Sequence, residues 1–149
     1  MQFLHNLPVY EFSLGGLGTE FTVLALAVAL GLFQLLVAAR TGNGQRGLKW
    51  NVGARDEPPP PVGPVAGRLE RAARNFMETF PFFATIVILL ALTARHNWAT
   101  VWGSEIYLAT RIVYLPLYGF GVPGLRTLVW LVSLLAILLL LGALFFPAL

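Results

Sequence analysis

The sequence contains no cysteine. Disulfides, thiolate metal ligands and a protein thiol nucleophile are therefore excluded. Charge is scarce as well: Asp, Glu, Lys and Arg make up 11% of the 149 residues, against about 25% in a typical soluble domain. A surface so poor in charge would aggregate in water, whereas a bundle in lipid needs little of it. The two histidines, His5 and His96, have no carboxylate at ligand spacing, so no metal site is expected. Gly42, Gly44 and Gly47 are followed by no Lys-Ser or Lys-Thr pair, which removes the phosphate loop of nucleotide-binding proteins. The net charge of +3 gives no reason to expect nucleic acid as a partner.

What the chain has is apolar length. Mean hydropathy is +0.74 and 57% of residues are hydrophobic. Four stretches, 17–39, 71–93, 100–122 and 125–146, reach the roughly 20 residues that a helix needs to cross a hydrocarbon core. The expected fold is all-α: a four-helix membrane bundle forming one transmembrane domain over residues 1–149. No Lys or Arg precedes the first stretch, so it lacks the basic start of a signal peptide and reads as a retained helix. Seven of the ten Lys and Arg residues lie between Arg40 and Arg74. The positive-inside rule then puts both termini outside and the 41–67 connection in the cytoplasm. That connection is rich in glycine and carries Pro58 to Pro61 and Pro64, which argues for a loop. Trp50 within it is expected to anchor at the headgroup level. His96 is expected to be a solvated loop residue, and Pro81 and Pro116 to bend the helices that contain them.

Polar residues inside such helices are costly and face a partner or a wet cavity. Two groups stand out. In RLERAARNFMETFPFF, the residues Arg71, Arg74, Asn75 and Glu78 share one helical face, and the rise from Arg71 to Glu78 is about 10 Å. An Arg74–Glu78 ion pair would be a purely structural explanation. In ATRIVYLPLYGFG, the residues Arg111, Tyr114 and Tyr118 form a second stripe. Arg111 sits near the middle of its span, with Glu78 as the obvious counter-charge. Together with Arg126 these stripes outline a pocket with four arginines and one carboxylate. Arginine forks suit carboxylates and Glu78 suits an ammonium group. The residues alone thus point to a small amphoteric anion bound beside lipid.

The segment Glu70-Arg71-Ala72-Ala73-Arg74-Asn75-Phe76-Met77-Glu78 with Pro81-Phe82, and the segment from Arg111 through Tyr114 and Tyr118 to Arg126, resemble the paired signatures of the membrane-associated proteins in eicosanoid and glutathione metabolism. The resemblance implies a homotrimer with glutathione held between neighbouring subunits. It implies that Arg71, Arg74, Asn75 and Glu78 hold the peptide's charged ends, that Arg111, Tyr114, Tyr118 and Trp130 line the same pocket, and that Arg40 reaches it from the first helix. It makes Arg126, followed by Thr127, the group that faces the glutathione sulfur and favours the nucleophilic thiolate. Tyr114 stands where some members carry histidine, Thr127 where the prostaglandin-forming branch has serine, and Trp130 where that branch has tyrosine. These departures point away from a prostaglandin-forming activity. The loop WNVGARDEPPP resembles bacterial members, which makes a bacterial inner membrane the expected location.

The leading expectation is a membrane enzyme that joins glutathione to a lipophilic electrophile or uses it to reduce a lipid hydroperoxide. Its partners would be membrane lipid, a lipophilic substrate and two further copies of the chain. A non-catalytic lipid-binding scaffold on the same fold is the first alternative. A small anion transporter or channel subunit is the second, and the lack of repeated halves or of a matched pair of broken helices counts against it.

Overall fold

A computed structural model describes residues 14–146. His5 and most of the N-terminal segment lie outside the described residues. Four long helices and one short helix form the fold: α1 Thr19–Arg46, α2 Leu48–Val52, α3 Pro64–Leu92, α4 Trp98–Phe120 and α5 Pro123–Phe145. The boundaries follow local chemistry. Pro64 and Pro123 open α3 and α5, where a missing N–H costs nothing. Asn97 caps α4 in a reciprocal box with Thr100, satisfying donors that would otherwise be orphaned. Gly121 ends α4 with φ 76°, a left-handed conformation that favours glycine. Helix continues across both Pro81 and Pro116.

The helices α1, α3 and α5 are each long and apolar enough to cross a membrane. In the apolar stretch of each, no more than a third of the residues are buried. Leu32, Leu35 and Leu36 of α1, and Leu131, Leu135 and Leu138 of α5, all point outward. Lipid, not water, is the solvent that such faces tolerate. The chain is an integral membrane protein with three candidate spans. The fourth long helix, α4, packs with them but carries Glu105 and Arg111.

The pair α4 and α5 and the pair α1 and α3 make the closest packings, and α3 and α4 join them. Glycine allows both approaches. A Cβ at Gly31 would lie 2.7 Å from Phe76 Cε1, and one at Gly103 would lie 2.9 Å from Leu140 Cγ and Cδ2. Without a hydrophobic drive between helices in lipid, this close packing is what holds them together. The apolar core is gathered from Val23 and Ala27 of α1, Phe83 to Leu90 of α3, Ala99 and Tyr107 of α4, and Ala136 to Ala143 of α5. It occupies the half of the bundle nearer the α3–α4 connection. That end is also closed by polar contacts, because Glu20 accepts from Thr100 Oγ1 and pairs with His96 Nδ1 at 2.8 Å. His96 is the solvated loop residue expected from the sequence, and its ring also ties that loop to α1.

The opposite end differs more from expectation. The first helix runs past Ala39 and through Gly42 and Gly44 to Arg46. Tertiary bonds explain the extension. Arg46 grips Glu70 of α3 with both ends of its guanidinium, at 2.5 and 2.9 Å, and Gln45 Oε1 accepts from the Gly63 N–H at 2.6 Å. These bonds outweigh the poor helix propensity of two glycines. Trp50 also meets cations of its own chain. The guanidinium groups of Arg46 and Arg55 lie 5.3 and 4.9 Å from the centroid of its ring. The outward residues of α2 are Leu48, Lys49 and Val52.

Close packing at Gly103 gives a direct test. Gly103→Val should destabilise the detergent-solubilised protein by about 1–3 kcal/mol through overpacking against Leu140, whereas Gly44→Ala, which meets nothing nearer than 3.9 Å, should not. Thermal unfolding monitored by circular dichroism checks both.

Candidate functional site

The polar residues collect in the half of the bundle that the apolar core leaves empty. Arg111 is the centre of this region. It is 1% exposed, and its guanidinium faces the rings of Tyr107 at 5.4 Å and Tyr114 at 5.6 Å. Its Nη1 donates to Asn75 Oδ1 at 3.0 Å. Asn75 in turn donates through Nδ2 to Glu78 Oε2 at 3.4 Å. Arg111 therefore reaches the carboxylate only through an amide. The direct Glu78–Arg111 bridge and the Arg74–Glu78 pair are both absent. Among the described residues the ion pairs are Arg46–Glu70 and Glu20–His96.

The helix geometry explains the change of partners. Neighbouring residues diverge by about 100° around a helix. Asn75 therefore turns toward α4, while Arg74 turns toward α1. There Arg74 lines a groove of about 480 Å³ with Gly31, Ala38, Arg46, Trp50 and Met77.

Beside Asn75 lies a hollow of about 160 Å³ lined by Asn75, Tyr114, Tyr118, Arg126, Thr127 and Trp130. The guanidinium of Arg126 sits over the Tyr118 ring at 4.5 Å. The Tyr118 ring tilts at 59° to that of Tyr114, with centroids 5.4 Å apart. No carboxylate lines this wall. The indole Nε1 of Trp130 is buried without an acceptor, as are Nε and Nη2 of Arg111. Donors in excess of acceptors, with one cation held flat on an aromatic ring, suit an anionic or strongly polarised group.

The hollow thus brings together six of the residues singled out in the sequence, with Arg111 and Glu78 attached to them through Asn75. Arg40, Arg71 and Arg74 do not line it. Arg40 is exposed on α1, in a shallow groove with Phe33, Leu36, Asn43 and Leu48. Arg71 is exposed and lies alongside Gly67. Two residues of the site were not singled out in the sequence. Tyr107 is fully buried, stacked on Phe83 with centroids 4.0 Å apart. It carries the signal, since residues 107, 111, 114 and 118 continue one stripe at helical spacing. Arg68 donates from Nη1 to the Gly119 carbonyl at 3.3 Å, at the turn that leads into α5.

A family profile, described as MAPEG family, matches residues 23–146. The chain belongs to the MAPEG family, the membrane-associated proteins in eicosanoid and glutathione metabolism. MAPEG members are typically glutathione-dependent transferases and peroxidases. The match takes in all four long helices apart from the first turn of α1, and so the whole hollow. A search among curated proteins finds no individual relative. Within the MAPEG frame, the polar cluster built on Asn75, Arg111 and Arg126 is the natural place to look for activity.

Among the described residues, Asn75 Oδ1 is the one side-chain acceptor for Arg111. Asn75→Leu should cost about 1.5–3 kcal/mol, the worth of a hydrogen bond to a charged group. Glu78→Gln, at an exposed position, should change stability little. Unfolding titrations in mixed micelles compare the two variants.

Proposed function

We propose that this chain is a membrane-bound glutathione-dependent transferase or peroxidase acting on lipophilic electrophiles or lipid hydroperoxides. The observation that carries the proposal is Arg126, poised on Tyr118 at the wall of a donor-rich hollow that also contains Asn75 and Trp130. Bound glutathione supplies the sulfur nucleophile that a cysteine-free chain lacks. The donor set fits it: a guanidinium without a carboxylate partner for the sulfur, amide and indole N–H groups for carboxylates, and Glu78 for the ammonium end. Arg126 favours the deprotonated sulfur through its positive charge. Thr127 adds a hydroxyl at the rim, beside the sulfur's expected place. Tyr114, Tyr118 and Trp130 wall the hollow, and Arg111 orients Asn75 within it.

The hollow is small for a tripeptide. We read the exposed Arg40, Arg71 and Arg74 as the groups that would meet glutathione from the neighbouring subunit of a homotrimer. The lipophilic substrate would arrive through the bilayer, since the first turns of α5 that carry Arg126 lie at the bundle surface. The cation-rich α1–α3 connection supports a cytoplasmic side for this end, with the location expected to be a bacterial inner membrane.

A lipid-binding scaffold is the second reading. It is favoured by the broad groove of about 820 Å³ along Phe33, Leu36, Val37 and Leu48.

The test is glutathione binding to purified protein, read by ultraviolet absorbance of the thiolate at neutral pH. Arg126→Gln should lower the bound thiolate fraction by about tenfold, equivalent to one unit in the sulfur's pKa. Fatty-acid binding without glutathione binding would instead favour the scaffold.

A further inference from the structure

The helix that carries Arg126, Thr127 and Trp130 is held poorly at the end where it matters. From Pro123 to Val132 no residue of α5 is buried, and the first buried side chain is Ser133. The position of this free end is therefore set by the turn that precedes it. That turn is tight. Val122 N–H donates to the Leu117 carbonyl and Gly121 N–H to the Tyr118 carbonyl, with Gly121 in the left-handed region at φ 76°.

One side chain grips this turn from outside. Arg68, on the second turn of α3, donates to the Gly119 carbonyl at 3.3 Å. Its guanidinium also lies flat against Gly121. A Cβ at Gly121 would fall 2.8 to 3.2 Å from the Arg68 Cζ, Nη1 and Nε atoms. Gly121 is thus required twice, by its backbone angle and by the guanidinium that fills the place of its side chain. Among the described residues, this is the sole side-chain hydrogen bond that another helix makes to residues 117–127. The gripped residue adjoins Tyr118, the ring on which Arg126 rests. Arg68 itself does not line the hollow.

We infer that Arg68 is a positioning residue: through the Gly119–Gly121 turn it fixes Arg126 over Tyr118 and thereby sets how strongly the site favours the glutathione thiolate. The inference rests on the glutathione reading of the hollow. Its physical basis is steep distance dependence. A cation stabilises a nearby anion in proportion to proximity, and an unanchored helix end averages that proximity away. A guanidinium suits the task because it is planar, permanently charged and able to lie flat on a glycine while donating in its plane.

Three variants test this from both sides of the contact. Arg68→Ala removes the grip, Gly121→Ala displaces the guanidinium, and Arg68→Lys keeps a donor for the Gly119 carbonyl. Two readouts are taken on full-length protein in detergent. Hydrogen exchange of the amides in residues 119–130 reports the tether without any ligand. In Arg68→Ala and Gly121→Ala it should accelerate by about tenfold locally, with the core amides of Phe83 to Leu90 unchanged. The pH titration of thiolate absorbance with bound glutathione reports the positioning. The thiolate fraction of bound glutathione at neutral pH should fall by about threefold or more while the Kd for glutathione, from titrating the ligand in the same samples, moves less than about twofold, because Asn75 and Trp130 still bind it. Arg68→Lys should recover part of both signals.

Unchanged exchange in both Arg68→Ala and Gly121→Ala would overturn the tether. Faster exchange with an unmoved titration curve would overturn the positioning role. A lack of any thiolate signal in the unaltered protein, whatever the exchange result, would remove the glutathione reading and this role with it. If Arg68→Ala does not fold, Gly121→Ala and Arg68→Lys supply the same comparisons.

Discussion

A permanently charged guanidinium sits inside α4, thirteen residues from its start and nine from its end, in a bundle surrounded by lipid. An uncompensated arginine at that depth costs on the order of 2.5–3.5 kcal/mol by insertion scales. The bundle does not neutralise Arg111 with a carboxylate. It surrounds the cation with π-faces and one amide oxygen, each worth about 0.5–3 kcal/mol. That choice propagates. Tyr107 holds Arg111 from below and is itself stacked on Phe83 in the apolar core. Tyr114 holds it from above and leans on Tyr118, which supports Arg126. A continuous column of rings and cations therefore runs from the core to the wall of the hollow. The Asn75 amide, fixed by Arg111, is oriented as a consequence of the same column.

This arrangement leaves the carboxylate free. Had Glu78 bridged Arg111 directly, the site would hold a buried ion pair and little else to offer a ligand. With Asn75 interposed, Glu78 keeps an exposed acceptor, Arg126 keeps an unpaired charge, and the hollow retains an excess of donors. The one bidentate ion pair in this half of the bundle, Arg46–Glu70, lies on the opposite side of α3, where it braces α1 and carries the α2 turn. The ion-paired charges and those of the hollow are thus separated by the width of a helix. The 100° step between Arg74 and Asn75 decides which residue joins which set.

The membrane class and the four long helices were legible because they depend on periodicity and hydropathy; of the hollow, Asn75, Tyr114, Tyr118 and Arg126 were legible from spacing, and Thr127 and Trp130 from the family resemblance. Asn75, Tyr114, Tyr118, Arg126, Thr127 and Trp130 do converge. What the sequence hid were interactions between segments distant in the chain. Helix α1 outruns its glycines because of Glu70, twenty-four residues away, and no local propensity announces that bond. Trp50 reads as a headgroup anchor, and its contacts with the Arg46 and Arg55 guanidinium groups show only in the fold. Tyr107 was readable as one more member of the 111–114–118 stripe. An aromatic among apolar residues attracts no attention until a cation is known to lie beside it. Arg68 looked like one more positive-inside residue, since only the folded turn shows what its guanidinium touches.

The uneven packing of the bundle also bears on how, in the proposed reaction, a lipophilic substrate could meet a polar nucleophile. The end near the α3–α4 connection is filled by core side chains and closed by the Glu20–Thr100–His96 contacts. The other end is filled by rings and guanidinium groups whose contacts are directional but thin. Rings stacked against cations leave flat, unfilled edges, and α5 enters this region with no buried residue for its first ten positions. An apolar molecule moving in the bilayer can approach Arg126 along that exposed helix without crossing water. The polar reactant can enter from the loop side, where the cations are. A site sealed by apolar packing would be more stable but would exclude one of the two reactants of the proposed reaction. The column anchored on Arg111 keeps the charged residues in register without filling the space between them.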